Sequence, residues 1–390
     1  MRGLEGTEMG VDAMTDLRHE ELRTSREGRL AVRLALAATV EPADKTMTPR
    51  LRALDPFTAW EMVRTDAGGK FTRAAARVKT LRLETVVART QELGARIVIP
   101  GDDEWPCGVD DLESPPYCLW VVGKGSLARA CERSVSMVGA RAATPYGTQV
   151  ASELAYGLSG RGFTVVSGAA HGIDTASHRG ALAAGGCTVA AMACGIDIAY
   201  PLANTGLLQQ IEQSGLIVTE LPPGSAPQKQ RFLSRNRLIA AMTPGTVVVE
   251  AGLRSGSRST ATAASRLGRL LAAVPGPVTS PASAGPHQLI RDCGATLVTD
   301  VDDCAELFGA IGGDLADPKR AEPTVFDRLE DADRRLLDAM PVVRGTTVER
   351  LAVSAGLTPR EVTRGLAALH AAGLVERIES GWRRTQDQSS

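Results

Sequence analysis

Seven short apolar runs, separated by glycine-bearing turns and by stretches with helical spacing, occupy the middle of the chain, at 134–138, 163–167, 188–192, 216–220, 246–250, 270–274 and 296–299. Runs of this length rich in Val, Ile, Leu and Thr suit strands. Strands that are apolar on both sides must be covered on both faces, and parallel neighbours need a long crossover that a helix supplies. From about Arg133 to Leu307 the chain is therefore expected to fold as α/β, a mostly parallel sheet between two helical layers. After the first run Val150, Leu154 and Leu158 recur every four residues. They form one face of a helix that can pack back on the sheet, a right-handed βαβ start.

The flanks differ in kind. Residues 1–27 are polar, charged and aperiodic, the composition of a disordered leader. Residues 28–94 have helical spacing, with Leu30, Leu34, Val86 and Leu93 apolar and turn signals at Thr48-Pro49 and Gly68-Gly69, and are expected to make a small N-terminal helical domain. Residues 95–132 form a proline-bearing connector with two apolar runs, 96–99 and 117–122, leading into the sheet domain at 133–310. Asp300 to Asp333 holds eleven acidic residues against three basic ones, with Gly312-Gly313 and two prolines, and reads as a linker centred on 311–324. In 325–385 helical stretches at 333–340, 347–355 and 359–372, with a turn at Gly356, have the spacing of a helix-turn-helix. The segment 375–383 suits a two-stranded wing, so a winged-helix-like domain is expected there.

Composition excludes several classes. The 390 residues carry a formal net charge of -1, so no global basic field draws the molecule onto nucleic acid or membrane, and any anion site must come from local clustering. The seven cysteines are odd in number, scattered and without a C-x-x-C pair, which argues for inert thiols in a reducing compartment and against a disulfide framework or zinc site. No apolar run reaches the roughly 18 residues of a membrane span, and the charged start does not resemble a secretory signal, so a cytoplasmic location is the expectation. Neither a phosphate-binding G-x-x-x-x-G-K-[ST] nor a complete G-x-G-x-x-G occurs, which argues against an ATPase or a dinucleotide enzyme. Ser167 and Ser255 lie outside any G-x-S-x-G elbow. His171, Asp174 and His178 share a helical face, but no further ligand is apparent and Arg179 would oppose a cation; no metal and no cofactor are expected.

Ligands of open parallel sheets bind beyond the carboxyl ends of the strands, so the loops there carry the information. Gly139-Ala140-Arg141 precedes a helix opened by Tyr146-Gly147. Ser167-Gly168 runs on to Gly172, Gly252 to Thr260 includes Ser255, Gly256 and Arg258, and Pro275-Gly276 follows the sixth run. From Lys229 to Arg269 there are eight basic residues and one acid, Glu250. Several phosphates in a row, each met by a glycine turn or an arginine, suit a flexible strand better than one nucleotide, and Phe232 among the basic residues can stack on a base without reading it. Blander roles stand beside these: glycines that serve only backbone geometry, Arg235 or Arg237 bridging acidic groups or carbonyls, and Phe232 filling an apolar pocket.

The ordered motifs Val138-Gly139-Ala140-Arg141, Tyr146-Gly147, Ser167-Gly168, Gly172-Ile173-Asp174 with His178, Tyr200-Pro201, Phe232 with Arg235-Asn236-Arg237, Val249-Glu250-Ala251, Ser255-Gly256-Ser257 and Pro275-Gly276 resemble the DprA/Smf family from about Arg96 to Asp303. The resemblance implies an extended Rossmann-like domain that dimerises, binds single-stranded DNA and loads the RecA recombinase in natural transformation, without catalytic turnover. It implies DNA contacts at Gly139, Arg141, Ser167, Gly168, Lys229, Phe232, Arg235, Asn236 and Arg237; Ser255, Gly256 and Arg258 join them from the loop reading. Ala140, Ala193, Leu233 and Arg258 depart from the usual family residues. Two rivals remain. A nucleotide phosphoribohydrolase-like enzyme would need the acid of its P-G-G-x-G-T-x-x-E motif, which these loops lack. A duplex-DNA regulator would have to read bases with Arg360 and Arg364 against Glu361, a thin set.

Overall fold

The computed structural model describes residues 23–310, 313–315 and 326–385. The expected leader lies outside the described residues up to position 22, and so does the expected linker except for 313–315. The chain divides into two compact units, 1–316 and 317–390.

All seven expected runs are strands, most of them trimmed at one end, and the connector adds two more. In chain order they are β1 (Arg96–Val98), β2 (Leu119–Gly123), β3 (Ser134–Val138), β4 (Thr164–Ser167), β5 (Thr188–Ala191), β6 (Leu216–Thr219), β7 (Gly245–Val248), β8 (Leu270–Ala273) and β9 (Thr296–Leu297). They form one nine-stranded sheet in the order β1-β2-β6-β5-β4-β3-β7-β8-β9. Pairing from β6 through β9 is parallel, whereas β1 pairs antiparallel with β2 and β2 with β6, in a register that sets Trp120 opposite Thr219. The connector is thus the edge of the sheet, not merely its approach.

Among the described residues, five α-helices precede the sheet: α1 (Arg26–Thr39), the short α2 (Thr48–Leu51), α3 (Pro56–Arg64), α4 (Thr72–Val78) and α5 (Leu83–Glu92). Thr48-Pro49 opens α2 instead of breaking the chain, because a proline in the first helical turn forfeits no intrahelical hydrogen bond. Leu34, Leu36, Trp60 and Phe71 bury together with Ile99, Cys118 and Trp120. These helices therefore share a core with the β1–β2 edge.

Within the sheet region lie α6 (Leu127–Glu132), α7 (Pro145–Gly160), α8 (Ile173–Ala183), α9 (Thr205–Ser214), α10 (Lys229–Ala241), α11 (Ser257–Arg266), α12 (Ala284–Cys293) and α13 (Val301–Phe308). Strand alternation sorts neighbours to opposite faces. Val165 and Val247 pack with Leu154, Leu158 and Ile173 of α7 and α8, while Val166 and Val248 pack with Leu238 and Ile239 of α10. The acidic run read as linker begins later than expected, because its first residues make α13: Asp300 caps it by accepting from the Asp303 amide at 3.0 Å, and Asp302 and Asp303 sit in the first turn, where the helix dipole favours carboxylates.

The second unit holds α14 (Asp331–Asp338), α15 (Val348–Ala355), α16 (Pro359–Ala371) and the hairpin β10 (Val375–Ile378) with β11 (Gly381–Arg384). Gly356 ends α15 at φ 64°, a left-handed conformation glycine adopts without strain, and Thr358 with Glu361 forms a capping box on α16. Leu336, Leu351, Val362 and Leu366 make a core of their own. Among the described residues no helix is long and apolar enough to cross a membrane.

Two packing features generate predictions. Trp120 is fully buried and its indole N–H donates to Thr90 Oγ1 at 3.1 Å, tying α5 to the sheet edge. Trp120→Ala is expected to destabilise the protein by about 3–5 kcal/mol in chemical denaturation, the usual range for truncating a buried aromatic; a change under about 1 kcal/mol would contradict a shared core. His178 on α8 is also fully buried. The Thr188 hydroxyl donates to the Val165 carbonyl at 2.7 Å, so the imidazole donates Nδ1–H to Thr188 Oγ1, at 2.7 Å, and Nε2 has no partner. Burial, with help from the Arg235 charge, pushes this pKa down to about 3. An unfolded histidine takes up its proton near about 6.5, so stability should fall as pH drops from there toward 3, where only the unfolded state binds the proton. In His178→Gln the denaturation midpoint should depend less steeply on pH between about 6.5 and 4; an unchanged slope would show that His178 is not held neutral.

Candidate functional site

The strand order reverses at β3. β4, β5 and β6 follow one another to one side and β7 lies on the other, so the segments leaving β3 and β7 part and a crevice opens at their carboxyl ends. There the structure has a cavity of about 890 Å³. Its walls are the loop after β3, the loop between β7 and α11, and the near face of α10.

Helix α10 delivers most of the side chains, and its position is fixed from several sides. Ser136 Oγ of β3 lies 2.7 Å from the Ile239 carbonyl and donates to it. Arg231 donates to both carboxylate oxygens of Glu41, at 3.1 and 2.8 Å, linking α10 to the N-terminal helices. Asn236 Nδ2 donates to the Gly256 carbonyl at 3.2 Å and to Ser259 Oγ at 2.6 Å, holding the start of α11 beside it. With the helix so held, Lys229, Phe232, Leu233 and Asn236 border the cavity.

Of the residues expected at the site, Gly139, Arg141, Lys229, Phe232, Arg235, Asn236, Ser255 and Gly256 line this one cavity. Arg141 and Lys229 are exposed and, with Arg254, form no ion pair among the described residues. The Arg141 guanidinium lies 5.1 Å from the centre of the Phe232 ring, within cation–π reach. Ser255 and Ser257 hydroxyls lie 2.7 Å apart at the start of α11, where Ser255 Oγ also accepts from the Ser257 amide at 3.4 Å.

Four expected residues are placed elsewhere. Ser167 is fully buried and donates to the Met137 carbonyl at 2.6 Å. Gly168 lies under Arg235, and a Cβ there would collide with the guanidinium, so its role is close approach within the protein. Arg258 donates to the Leu253 carbonyl at 2.5 Å and closes its own loop. Arg237 borders a second, smaller cavity of about 230 Å³, with Arg33 and Glu41, and donates to Glu220 at 2.6 Å. It does not converge with Arg141 and Lys229.

Arg235 borders the cavity from beneath. It is 4% exposed and donates to the Ala191 carbonyl at 2.5 Å. Burial pushes the nearby Asp174 carboxyl up, against the pull of Arg235, and burial likewise pushes the Arg235 guanidinium down, against the pull of Asp174. His178 and Asp174 are buried while His171 is exposed, and among the described residues no group of three His, Cys, Asp or Glu side chains is placed to hold a metal.

The amino end of α7, the helix that follows the Gly139-Ala140-Arg141 turn, is already occupied. Glu250 accepts from the Thr144 amide at 2.9 Å and from its hydroxyl at 2.6 Å, and Thr144 caps Gly147. A Cβ at Gly147 would collide with this carboxylate, so glycine is what admits it. The lone acid of the basic segment is thus turned away from the cavity into a cap. Arg254 and Tyr200 also line the cavity. In the sequence Arg254 is one of the basic run and Tyr200 part of a Tyr-Pro motif, and neither carries a local mark of the groove.

Comparison with known proteins agrees with this architecture. The family model for DNA recombination-mediator protein A matches residues 96–309. A relative from Mycobacterium tuberculosis named as a DNA processing protein DprA is 42% identical over 361 residues, covering 89% of this chain and 92% of its own. The DNA processing protein DprA of Streptococcus pneumoniae is 39% identical over 207 residues, which is 53% of this chain and 72% of that protein. The X-ray structure of the Streptococcus pneumoniae protein superposes with a TM-score of 0.61 at 29% identity, covering 70% of this chain and 96% of the other. The match begins at the residue where the motif resemblance began, and the chain belongs to the DNA recombination-mediator protein A family.

Proposed function

We propose that the groove at the β3–β7 switch binds single-stranded DNA, with Arg141, Lys229 and Arg254 meeting successive phosphates and Phe232 stacking on a base. One observation carries this reading: three exposed cations without carboxylate partners among the described residues border a single cavity that also contains an aromatic ring. Phosphate contacts of this kind are sequence-independent, and so is stacking on a ring. Arg235 and Asn236 serve as supports, the first buried beneath the groove and the second tying its walls together. In this reading the strand is protected and handed to a RecA-type recombinase in the cytoplasm by a homodimer, and no bond is made or broken.

Binding of an unstructured oligonucleotide should weaken steeply with salt, because each neutralised phosphate releases counterions, with a slope of about 0.7 per contact for a single strand. Arg141→Ala and Lys229→Ala are each expected to flatten the log–log slope by about that amount. Arg237→Ala should lower stability and leave the slope unchanged, since its partner is Glu220. Fluorescence anisotropy across a salt series reads all three. If the Arg141→Ala, Lys229→Ala double variant binds as the parent does at moderate salt, the groove is not the DNA site.

A further inference from the structure

The groove contains a second aromatic ring. Tyr200 lies in the loop between β5 and α9, borders the cavity and is 39% exposed. The loop that carries it is anchored at both ends. Near its start the Gly195 amide donates to the Ser225 carbonyl at 2.8 Å, and at its end the buried Asn204 donates to the Ala169 carbonyl and to Thr175 Oγ1, both at 2.9 Å. Tyr200 is therefore held out, not left over.

Its ring centre is 5.3 Å from that of Phe232, and the two planes are inclined at 50°. Phe232 is half-buried and has the Arg141 guanidinium beside it, so Tyr200 is the more open of the two rings. Bases stacked one on each ring would share that 50° inclination. Neighbouring bases of a duplex lie parallel and in contact, and forcing them apart costs a few kcal/mol per step; an unpaired strand has far less stacking to lose.

We propose that Tyr200 is a second base-stacking residue, and that its inclination to Phe232 makes the groove select an unstacked single strand over a duplex. This rests on the reading of the groove as a single-strand site. The stacking face is the ring itself, so the hydroxyl is dispensable and Tyr200→Phe retains the function.

The test uses the full chain and three probes, an oligothymidylate, the same backbone with abasic sites throughout, and a duplex of equal length. Tyr200→Ala is expected to weaken oligothymidylate binding about tenfold, as loss of one base–aromatic stack does, while abasic and duplex binding change less than about twofold, within the spread that a stack-independent contact allows. Tyr200→Phe should match the parent on all three. Equal weakening on the abasic strand would show that the loop, not the stack, was damaged, and equal weakening on the duplex would remove the selectivity; either overturns the proposal. Unchanged oligothymidylate binding by Tyr200→Ala, with binding lost in the Arg141→Ala, Lys229→Ala variant, overturns the role of Tyr200 and leaves the groove standing. If neither variant loses binding, the groove reading itself fails.

Discussion

The reversal of strand order at β3 is the constraint on which the rest depends. A parallel sheet whose successive crossovers all ran one way would close each strand end with the next helix. Here β3 pairs with β4 on one side and β7 on the other, and the chain leaving each strand is drawn to opposite sides. The opening between them is a product of topology, available before any side chain is chosen. Side chains then decide what fills it, and they have filled it with cations and two rings.

Helix α10 shows how that choice is divided. Its four cationic residues lie within nine positions and have three different fates. Lys229 stands at the groove, Arg235 lies buried against Gly168, and Arg231 and Arg237 pair with Glu41 and Glu220. Each pairing fixes the helix to a different neighbour, the N-terminal helices through Glu41 and the end of β6 through Glu220. Truncating one partner of such a pair strands the other as a buried charge, which is far more damaging than losing an exposed contact. The groove face of α10 can therefore be mobile only as far as these anchors permit.

This division explains what was legible in the sequence. The strands were visible because both-face burial writes a continuous apolar run, and the sheet type placed the loops at the carboxyl rim, whereas the meeting of the loops after β3 and β7 depends on a strand order that no single run reveals. Clustering of basic residues pointed to a segment that borders the cavity. It did not separate Lys229 from Arg237, because a helix turns about 100° per residue and neighbours in a motif face different surroundings. The partners that decide their fates, Glu41 and Glu220, are remote in sequence and carry no local mark. Nor did the glycines declare themselves: Gly168 and Gly147 admit an arginine and a carboxylate of the protein itself, where a phosphate was the expectation. The acidic segment after β9 misled for a related reason, since Asp300, Asp302 and Asp303 are excluded from a helix interior by composition arguments yet favoured in its first turn.

The net charge of -1 now has a physical meaning. Arginines away from the groove are frequently spent on carboxylates, as in Arg133 with Asp314, Arg269 with Asp111 and Arg96 with Glu104, and screening at physiological salt confines what remains to about 8 Å. A strand would feel little attraction until it reached the groove, where Arg141, Lys229 and Arg254 are unpaired among the described residues. Glu250 is the test of this arrangement, because its side chain lies beside the same loops. Its two oxygens are both committed to Thr144, so the side chain caps the α7 helix end and forms no ion pair with the groove cations among the described residues. Local basicity here is made as much by where the acids are hidden as by where the arginines stand.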